Sequence, residues 1–502
     1  MIPAKRITLP IVVVVGISIT GWTHAADQWL QYGRDHLNNP VVDSGAAPGL
    51  AQLRWILSPG DYELCPNSSP VMFQGKVYVY GYIYDYDFSD GTDDSLSCVA
   101  AYSASNGSLA WKTDIDFGAQ DSWSSPAVDP VSLTVLIGSG QKVFGLDADT
   151  GAAKWATDLG NDVFNASVTV ADGRAFITDS TAVTTDAYGQ PGTAFALNLG
   201  ATSDDEGHIL WSVQIGVTSG CTAAYYDAPA EADDLVIFAD ADGWLKALDP
   251  ATGTEEWSYC VPNADGWKWT PGGTFWGGVS VADGFVYAST YGFYGGEDNS
   301  YTYKLNADTG ALVWRAPSER SNSVPVVHGD LVLVCGGTHF YGVPKLEALD
   351  KATGNKLWEF TDAGARTHTP AVVNGICYAG TMPDIGGYYY QTLYAVDLSL
   401  TPDDPGFVLS QYHGAGGTPA YDNGGIYSVG TDGLHAFRTW MLEGDVTFDC
   451  KVNILDMIFV RNKLNTDPTS GDNWKAEVTG DGAINILDMI LVRNRLNTNC
   501  SE

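Results

Sequence analysis

A phrase of about eleven residues recurs through the body of the chain and constrains its fold more than any other feature. An apolar pair, a small or acidic residue and a Thr-Gly or Asn-Gly turn are followed by a Trp four residues after the Gly. Close copies such as GLDADTGAAKW and KLNADTGALVW end at Trp111, Trp155, Trp257, Trp314 and Trp358, and a looser copy ends at Trp211. Each copy predicts two short strands joined by a tight turn in which Gly takes a positive φ.

A second strand pair precedes each copy, so the repeating unit is predicted to have four strands. Tandem four-stranded units of this period are typical of a β-propeller. Eight upstream pairs are predicted to begin near Val71, Ala127, Ser167, Ala228, Val279, Val324, Ala371 and Ala420. The eighth unit lacks its own Trp strand, and the segment QLRWILSPG around Trp55 is expected to complete that blade and close the ring. The fold class is therefore all-β, an eight-bladed propeller of four-stranded blades.

The repeated phrase resembles the quinoprotein-type (PQQ-like repeat) propellers, and the opening WLQYGRD at residues 29–35 is similar to the start of that family. The family holds pyrroloquinoline-quinone dehydrogenases as well as cofactor-free binding propellers. The resemblance covers residues 27–438 and implies the fold rather than a function. Each Trp is expected to be a packing residue between neighbouring blades.

The spacing of the Trp residues predicts where the long loops lie. From Trp55 to Trp358 the steps are 56, 44, 56, 46, 57 and 44 residues. The extra residues fall between the second and third strands of blades one, three, five and seven, on the face that carries the connections between blades. A possible ligand face of aromatic side chains, for glycan or another protein, consists of Tyr225, Tyr226, Trp267, Trp269, Trp276, Tyr294 and Tyr389. The alternative is that these loops pack on one another and only cap the blades.

No catalytic residue is assigned from the sequence. The polar candidates near inner strands are Asp121, Asp227, Arg366, His368 and His413, and no spacing joins them into an acid-base pair. The chain also lacks the adjacent cysteine pair found in many quinone dehydrogenases, a G-x-S-x-G nucleophile motif and an H-E-x-x-H zinc motif. A PQQ cofactor is therefore not expected, although an enzyme assembled from distant loops remains an alternative.

A duplication occupies the C-terminal end. DVTFDCKVNILDMIFVRNKLN from Asp445 and EVTGDGAINILDMILVRNRLN from Glu477 are offset by 32 residues, and both place oxygen-bearing side chains at calcium-loop positions 1, 3, 5, 9 and 12. With the carbonyl of position 7, the expected ligands of two calcium ions are Asp445, Thr447, Asp449, Lys451, Asn453, Asp456, Glu477, Thr479, Asp481, Ala483, Asn485 and Asp488.

Each loop runs into one amphipathic helix, and this arrangement resembles the type I dockerin, which attaches secreted proteins to cohesin domains of a scaffold or cell surface. The resemblance implies a cohesin contact set of Ile454, Leu455, Arg461, Lys463, Ile486, Leu487, Arg493 and Arg495. The alternative for the Ile and Leu residues is that they form the core of the small module. The near-identity of the copies predicts a pseudo-two-fold surface that docks in either orientation. Cys450 replaces the usual Gly at position 6, and Glu477 replaces Asp at position 1.

Charge and the N-terminal segment bear on location and partners. The chain has 60 acidic and 25 basic side chains, a net charge of -35, which argues against nucleic acid as a partner. Residues 1–25 read as a signal peptide, with a basic start, an apolar run too short for a membrane span and small residues before the cleavage site. We therefore expect a secreted, extracellular protein without a membrane span, with cell-surface association as an option.

Eight cysteines in an oxidising compartment make disulfides plausible. Order along the chain suggests Cys65 with Cys98, Cys221 with Cys260 and Cys450 with Cys500. Cys335 and Cys377 lie in apolar strand patterns and are equally well read as buried thiols.

The predicted domains are a signal peptide (1–25), a propeller (26–438), a linker (439–444) and a dockerin-like calcium module (445–502). The chain is predicted to be a secreted, non-catalytic propeller that acts in binding or as a scaffold. It is expected to attach to a cellulosome-like assembly through calcium-dependent dockerin–cohesin binding and to serve polysaccharide catabolism. The alternative is a dockerin-delivered hydrolase or lyase acting on polysaccharide, or, with less support, a PQQ-dependent dehydrogenase.

Overall fold

The computed structural model describes residues 28–499 except 44, 88–91, 119–121, 123, 164, 183–188, 201–204, 231–232, 263–273, 293–295, 298, 338–342, 382–391, 431–432, 439–445, 447–450, 467–475 and 477–482. The predicted signal peptide lies outside these residues. Within the part of the chain that is described, no helix has the length and apolar character needed to cross a membrane.

Eight antiparallel sheets follow one another along the chain as the blades of a propeller. From the innermost to the outermost strand, blades 1 to 4 consist of Val71–Phe73, Lys76–Ile83, Leu96–Ser103 and Leu109–Asp116; Ala127–Asp129, Thr134–Ser139, Lys142–Asp147 and Ala153–Asp158; Thr169–Ala171, Arg174–Thr178, Thr193–Asn198 and Ile209–Gln214; Ala224–Tyr226, Leu235–Ala239, Trp244–Leu248 and Glu255–Cys260.

The second half of the ring repeats this order. Blades 5 to 8 consist of Val279–Ala282, Phe285–Ser289, Tyr301–Asn306 and Leu312–Pro317; Val326–His328, Leu331–Gly336, Lys345–Asp350 and Lys356–Phe360; Ala371–Val373, Ile376–Gly380, Thr392–Asp397 and Val408–His413; Ala420–Asp422, Gly425–Gly430, Gly433–Arg438 and Leu53–Leu57. Short additional strands are Val41–Val42 beside blade 7, Glu63–Leu64 beside blade 1, and the pair Tyr86–Asp87 and Thr92–Asp93.

The ring is closed by a strand from near the N-terminus, as the sequence predicts. Leu53–Leu57 pairs antiparallel with Gly433–Arg438 as the outer strand of blade 8, with Leu53 opposite Phe437. The eight-bladed all-β fold is confirmed. Because a strand from the N-terminal part completes the last blade, the two ends of the array are joined within one sheet.

The repeated Trp residues pack each blade onto the next one. The indole of Trp257 in blade 4 lies against the turn of blade 5, where a Cβ on Gly310 would come within 2.5 Å of the ring, and its Nε1 donates to the Ala307 carbonyl at 2.8 Å. Trp111 packs in the same way on Gly151 of blade 2. Gly310 has a φ of +66°, so the Gly of the phrase supplies both the left-handed turn and the space for the indole. The expected packing role of the Trp is confirmed.

The start of blade 4 differs from the prediction. Its first strand is Ala224–Tyr226 rather than a strand near Ala228, so Tyr225 and Tyr226 belong to an inner strand and not to a loop before it. Both tyrosines are buried, and their hydroxyls donate to Asp234 and Asp308. Inner strands are covered on both faces by adjacent blades, so they lack the alternation that marks a strand in the sequence.

Residues 29–42 run along the innermost strands of successive blades, a feature that the sequence did not predict. The amides of seven inner strands donate to this segment in blade order, from blade 1 to blade 7: Met72 to Trp29, Val128 to Leu30, Val170 to Gln31, Tyr225 to His36, Val281 to Leu37, Val327 to Asn39 and Val372 to Pro40. The segment therefore supplies hydrogen-bond acceptors to inner strands whose edges face the ring axis.

The long loops lie where the Trp spacing predicts. Residues 84–95, 179–192, 290–300 and 381–391 join the second and third strands of blades 1, 3, 5 and 7, and a further eight-residue connection, 337–344, occurs in blade 6. These loops form hydrogen bonds with the connections between blades. For example, the Ala182 N–H donates to the Thr218 carbonyl at 2.6 Å. We call the surface formed by the second-to-third-strand loops and the blade-to-blade connections the connector face.

The C-terminal module contains two helices, α1 (Ile454–Lys463) and α2 (Ile486–Arg495), and a two-stranded pair, Lys451–Val452 with Thr498–Asn499. Its buried apolar residues are Val446, Val452, Val460, Ala476, Ile484 and Val492. The two copies are joined by equivalent hydrogen bonds, from Asn465 N–H to the Ile484 carbonyl and from Asn497 N–H to the Val452 carbonyl, each 2.8 Å long. The module is therefore built with two-fold pseudosymmetry around one small core.

Two of the suggested disulfides do not form. Cys65 and Cys98 are buried thiols on opposite sides of the blade 1 sheet, in different core clusters. Cys221 precedes the innermost strand of blade 4 while Cys260 ends its outermost strand, so the width of the blade separates them. The suggested pair of Cys450 and Cys500 lies outside the described residues.

Cys335 and Cys377 share the core between blades 6 and 7 as thiols, which confirms that reading. Burial raises the pKa of Cys335 to about 12, so this thiol stays protonated at neutral pH.

Candidate functional site

The two helices of the C-terminal module begin in the same way. Asn453 and Asn485 are N-caps whose side-chain oxygens accept the backbone N–H of Leu455 at 2.8 Å and of Leu487 at 2.7 Å. Three residues into each helix, a carboxylate accepts the N–H of the N-cap at 2.8 Å, from Asn453 to Asp456 and from Asn485 to Asp488. These reciprocal bonds are capping boxes and fix the side chains at positions 9 and 12 of both loops.

The fixed carboxylates fit a calcium site in chemistry and burial. Asp456 and Asp488 are fully buried, and Asp456 also accepts the Val446 N–H at 2.9 Å. A buried carboxylate is stabilised by hydrogen bonds or by a cation, and calcium prefers such oxygen ligands. Of the remaining predicted ligands, Lys451 and Ala483 belong to the described residues, and each precedes an N-cap Asn closely in the chain. The others lie outside the described residues: Asp445, Thr447, Asp449, Glu477, Thr479 and Asp481.

The first turns of the helices expose a matched apolar surface. Ile454 and Leu455 are 61% and 56% exposed, and their counterparts Ile486 and Leu487 are 59% and 53% exposed. Ile458 and Ile490 extend the surface by one helical turn on each copy. We call these six residues the paired apolar surface.

The alternative that the Ile and Leu residues form the core of the module is wrong. That core is formed by the valines and their neighbours, on the opposite side of each helix. The helix period places residues i, i+1 and i+4 together on one face and i+2 and i+6 on the other, which explains the separation.

The predicted basic residues lie at the far ends of the same helices. Arg461, Arg493 and Arg495 are exposed, and the Lys463 ammonium lies 5.6 Å from the centroid of the Phe459 ring. Cations in the last turn also interact favourably with the C-terminal end of a helix. Each copy thus presents an apolar first turn and a basic last turn.

The described members of the predicted aromatic ligand face, Tyr225, Tyr226 and Trp276, are all buried. Tyr225 and Tyr226 are buried in blade 4, as described above, so their assignment to a ligand face is corrected. Trp276 is 8% exposed, packs 6.1 Å from the Tyr291 ring and donates to the Thr274 hydroxyl at 2.8 Å. Trp267, Trp269, Tyr294 and Tyr389 lie outside the described residues.

Two of the polar candidates share one connection of the connector face. Arg366 and His368 both lie between blades 6 and 7, and Arg366 donates to the Tyr291 hydroxyl at 2.6 Å. Burial lowers the pKa of His368 to about 3, so its imidazole is neutral.

The other polar candidates are not near this connection. Asp227 follows the first strand of blade 4 and pairs with His36 at 2.6 Å, and His413 ends the outer strand of blade 7. Asp121 lies outside the described residues.

An acidic cluster between blades 5 and 6 was not predicted. Carboxylate oxygens of Glu297, Glu347 and Glu359 lie within 4.8 Å of one another, but two ammonium groups bridge them. Lys345 lies 3.0 Å from Glu359, and Lys356 lies 2.7 Å from Glu347. Burial raises the pKa of Glu347, whereas at Glu297 the effect of burial is outweighed by the two lysines, which lower its pKa. The cluster is an ion-pair network that joins two blades, and its members are too far apart in sequence to form a motif.

Sequence comparisons find a family match for the propeller and another for the C-terminal module. The family profile described as outer membrane protein assembly factor BamB matches residues 96–292 and 263–399, together more than half of the chain, and that of the dockerin type I domain matches residues 443–497. BamB of Escherichia coli is 35% identical over 106 residues, which are 21% of this chain and 25% of the relative. Tetrathionate hydrolase of Acidithiobacillus ferrooxidans is 30% identical over 124 residues, 20% of this chain and 23% of the relative. The chain thus aligns with only about a quarter of the length of these relatives.

Comparisons of structure support the fold alone, because the identities are low. BamB from Moraxella catarrhalis has a TM-score of 0.53 and 17% identity, covering 77% of this chain and all of that one. A europium-containing methanol dehydrogenase has a TM-score of 0.58 and 13% identity, covering 95% and 97%.

The dockerin match bears on metal, partner and location in general terms. Dockerin type I domains generally bind calcium, a dockerin implies a cohesin partner, and proteins that contain one are typically extracellular. Together with the eight-bladed ring and its repeated Trp turns, the profile matches establish that the chain belongs to the PQQ-like repeat family described as outer membrane protein assembly factor BamB and carries a dockerin type I domain at its C-terminal end.

Proposed function

We propose that this protein is a secreted, non-catalytic propeller that is attached to an extracellular cohesin-bearing assembly by its C-terminal module. The observation that carries the proposal is the paired apolar surface, because about 60% exposure of Ile454 and Ile486 is unusual for large aliphatic residues of a small folded module. Each first turn gives an apolar patch, and basic residues follow in the last turn of the same helix. This arrangement suits a protein partner that has both an apolar and an acidic contact region.

The attachment is proposed to depend on two calcium ions. Asp456 and Asp488 each hold the N-terminus of a helix whose first turn carries the apolar surface. A cation at positions 1, 3, 5, 7, 9 and 12 would tie the preceding loop to that helix and so fix the orientation of Ile454 and Ile486. Calcium therefore acts on the partner surface through helix position rather than by direct contact.

The propeller is proposed to present a glycan or another protein at its connector face, in the service of polysaccharide breakdown. Arg366 is partly exposed on this face, where its guanidinium is held by a hydrogen bond to the buried Tyr291 hydroxyl. A guanidinium fixed in this way can donate further hydrogen bonds to the oxygens of a ligand. The association with polysaccharide breakdown rests on the dockerin, whose family serves such assemblies.

Calorimetric titration of a type I cohesin domain into the full chain tests the attachment. We expect tight one-to-one binding in calcium and loss of binding in a calcium chelator, with two calcium equivalents taken up per chain. Binding that persists in chelator, or no binding to any of a panel of type I cohesins, would contradict the proposal.

A further inference from the structure

The innermost strands of blades 1 to 7 each donate one backbone N–H to residues 29–42, and they do so from an equivalent position. In six of these blades the donor is the middle residue of a three-residue strand, and in blade 5 it is Val281 of Val279–Ala282. All of these bonds are between 2.7 and 2.9 Å long. A strand edge is a template that binds an extended chain through its main-chain groups. We call this row of donors the inner groove and residues 29–42, which fill it, the inner segment.

Side chains of the inner segment take part in this pairing. The Asn39 carboxamide contacts Val327 of blade 6 as a neighbouring strand would, because its Oδ1 accepts the Val327 N–H at 2.8 Å and its Nδ2 donates to the Val327 carbonyl at 3.1 Å. The Asn38 Nδ2 donates to the Ala223 carbonyl at 2.6 Å and to the Val279 carbonyl at 3.0 Å, so one amide joins the starts of blades 4 and 5. A carboxamide offers both donors and an acceptor, as a peptide group does. The fit of the segment to the groove therefore depends on its sequence.

Both ends of the inner segment are fixed to blades. Trp29 at its start is 1% exposed and shares a core cluster with Met72 of blade 1. Val41–Val42 at its end pairs with the inner strand of blade 7 as a parallel strand. The next residue, Asp43, has a side chain that is 82% exposed. The segment is therefore held from blade 1 to blade 7, and the chain reaches solvent directly after it.

We propose that the inner groove is a binding site for an extended peptide with carboxamide side chains, and that the inner segment is its ligand within the same chain and holds the ring closed. Apolar cores such as the one between blades 5 and 6 join two neighbouring blades. The inner segment instead bonds to seven blades with one continuous piece of chain. Its release therefore loosens the ring as a whole rather than a single blade. This inference concerns the propeller alone and does not rest on the proposed attachment.

The test is the full chain with a protease recognition sequence inserted directly after Asp43, so that cleavage separates the inner segment from the strand Leu53–Leu57 that completes blade 8. Residues 26–43 are expected to stay bound through size-exclusion chromatography. The unfolding temperature of the cleaved chain is expected to rise when a synthetic peptide of residues 26–43 is added in excess, because a dissociable ligand stabilises the folded state by mass action. Immediate loss of the segment on cleavage, or an unfolding temperature that does not respond to the peptide, would overturn the proposal. The uncleaved insertion variant is the control and should not respond.

Exchange of the bound segment for a labelled synthetic peptide measures how firmly the groove holds it. Asn39→Ala is expected to speed this exchange at least about tenfold, because the N–H and carbonyl of the buried Val327 both lose that partner. Asn355→Ala is the matched control, since Asn355 is an exposed Asn between the two outer strands of the same blade, and it should exchange as the wild type does. Equal exchange rates of the two variants would overturn the role assigned to the carboxamide.

Peptide variants carry the same test without altering the propeller, which matters if Asn39→Ala does not fold. A synthetic peptide with Asn39→Ala and a scrambled peptide of the same composition are added to the cleaved wild-type chain. Both are expected to raise its unfolding temperature less than the native peptide does, and the scrambled peptide least. An equal rise with all three peptides would overturn the sequence-dependent fit of the segment to the groove.

Discussion

The Trp of the propeller repeat and the Ile-Leu pair of the C-terminal repeat are both duplicated apolar residues, yet they lie in opposite environments. Trp257 is 9% exposed and covers the turn of the next blade, whereas Ile454 is 61% exposed and lies outside the apolar core of its own module. In a closed ring every repeat has a following repeat to receive its apolar side chain. In a pair of repeats that share one core, only one face of each helix is covered, and the other face is left for a partner.

The largest expected effect is on stability and concerns the packing of the repeated Trp residues in the propeller. Trp257→Ala removes an indole from the interface of blades 4 and 5 and should lower the free energy of unfolding by about 3–5 kcal/mol. Trp244→Ala, in the same blade but at a site 38% exposed, is the matched control and should change it by less than about 1 kcal/mol. Denaturant unfolding followed by circular dichroism measures both, and equal losses would refute a special packing role for the repeated Trp.

Substitutions in the paired apolar surface are expected to lower the affinity for cohesin strongly without lowering the stability of the module. The double substitution Ile454→Asp with Ile486→Asp places a charge at the centre of the paired apolar surface in both copies, and should weaken cohesin binding by about 100-fold or more. Leu409→Asp, on an outer strand of the propeller where Leu409 is 52% exposed, is the control and should bind normally.

The single substitution Ile454→Asp tests whether the two copies of that surface are equivalent in binding. If the module docks in either orientation, the unaltered copy should keep affinity within a few-fold of the wild type, as calorimetry would show. A loss as large as that of the double variant would mean that only one orientation is used.

The pH dependence of stability is expected to arise in the propeller. Burial raises the pKa of Asp240 to about 7, so in the folded chain this carboxyl is protonated below that pH, whereas in the unfolded chain it ionises near pH 4. The folded state then binds more protons between these values, and stability falls as pH rises through this window. Relative to Asp240→Asn, the wild type should lose at most about 1.4 kcal/mol per pH unit between about pH 4 and 7. A difference that grows towards acid pH would have the wrong sign.

A smaller effect tests the equivalence of the two C-terminal copies. Asn465 and Asn497 follow the helices with φ values of +58° and +69°, a conformation that Asn tolerates better than most residues. Asn465→Ala and Asn497→Ala should each destabilise the module by about 1 kcal/mol, and by similar amounts. Clearly unequal losses in thermal unfolding would show that the copies are not interchangeable.

The sequence predicts those parts of the molecule that depend on local repetition. The blade strands, the closing strand at Trp55 and the loops of blades 1, 3, 5 and 7 follow from a periodic phrase in which each residue has a local role. Tyr225 was misplaced because an inner strand is covered on both faces and shows no alternation. The role of residues 29–42 was missed because their bonds go to seven blades in turn and leave no periodic pattern.

Non-local sites are predicted least well. Arg366 was identified as a polar candidate, but Asn322 and Tyr291, which meet it, are 44 and 75 residues away and carry no motif. The suggested pairs of Cys65 with Cys98 and of Cys221 with Cys260 are wrong for the same reason, because order along the chain does not show where in a sheet a cysteine lies.

Hydrogen–deuterium exchange of the full chain, with and without a cohesin domain in calcium, tests the central claim most directly. The account predicts that added protection is confined to the first turns of α1 and α2, around Ile454–Ile458 and Ile486–Ile490, while the strands that carry the repeated Trp exchange as before. Protection of the outer strands of the propeller, or no protection of either helix at saturating cohesin, would contradict it.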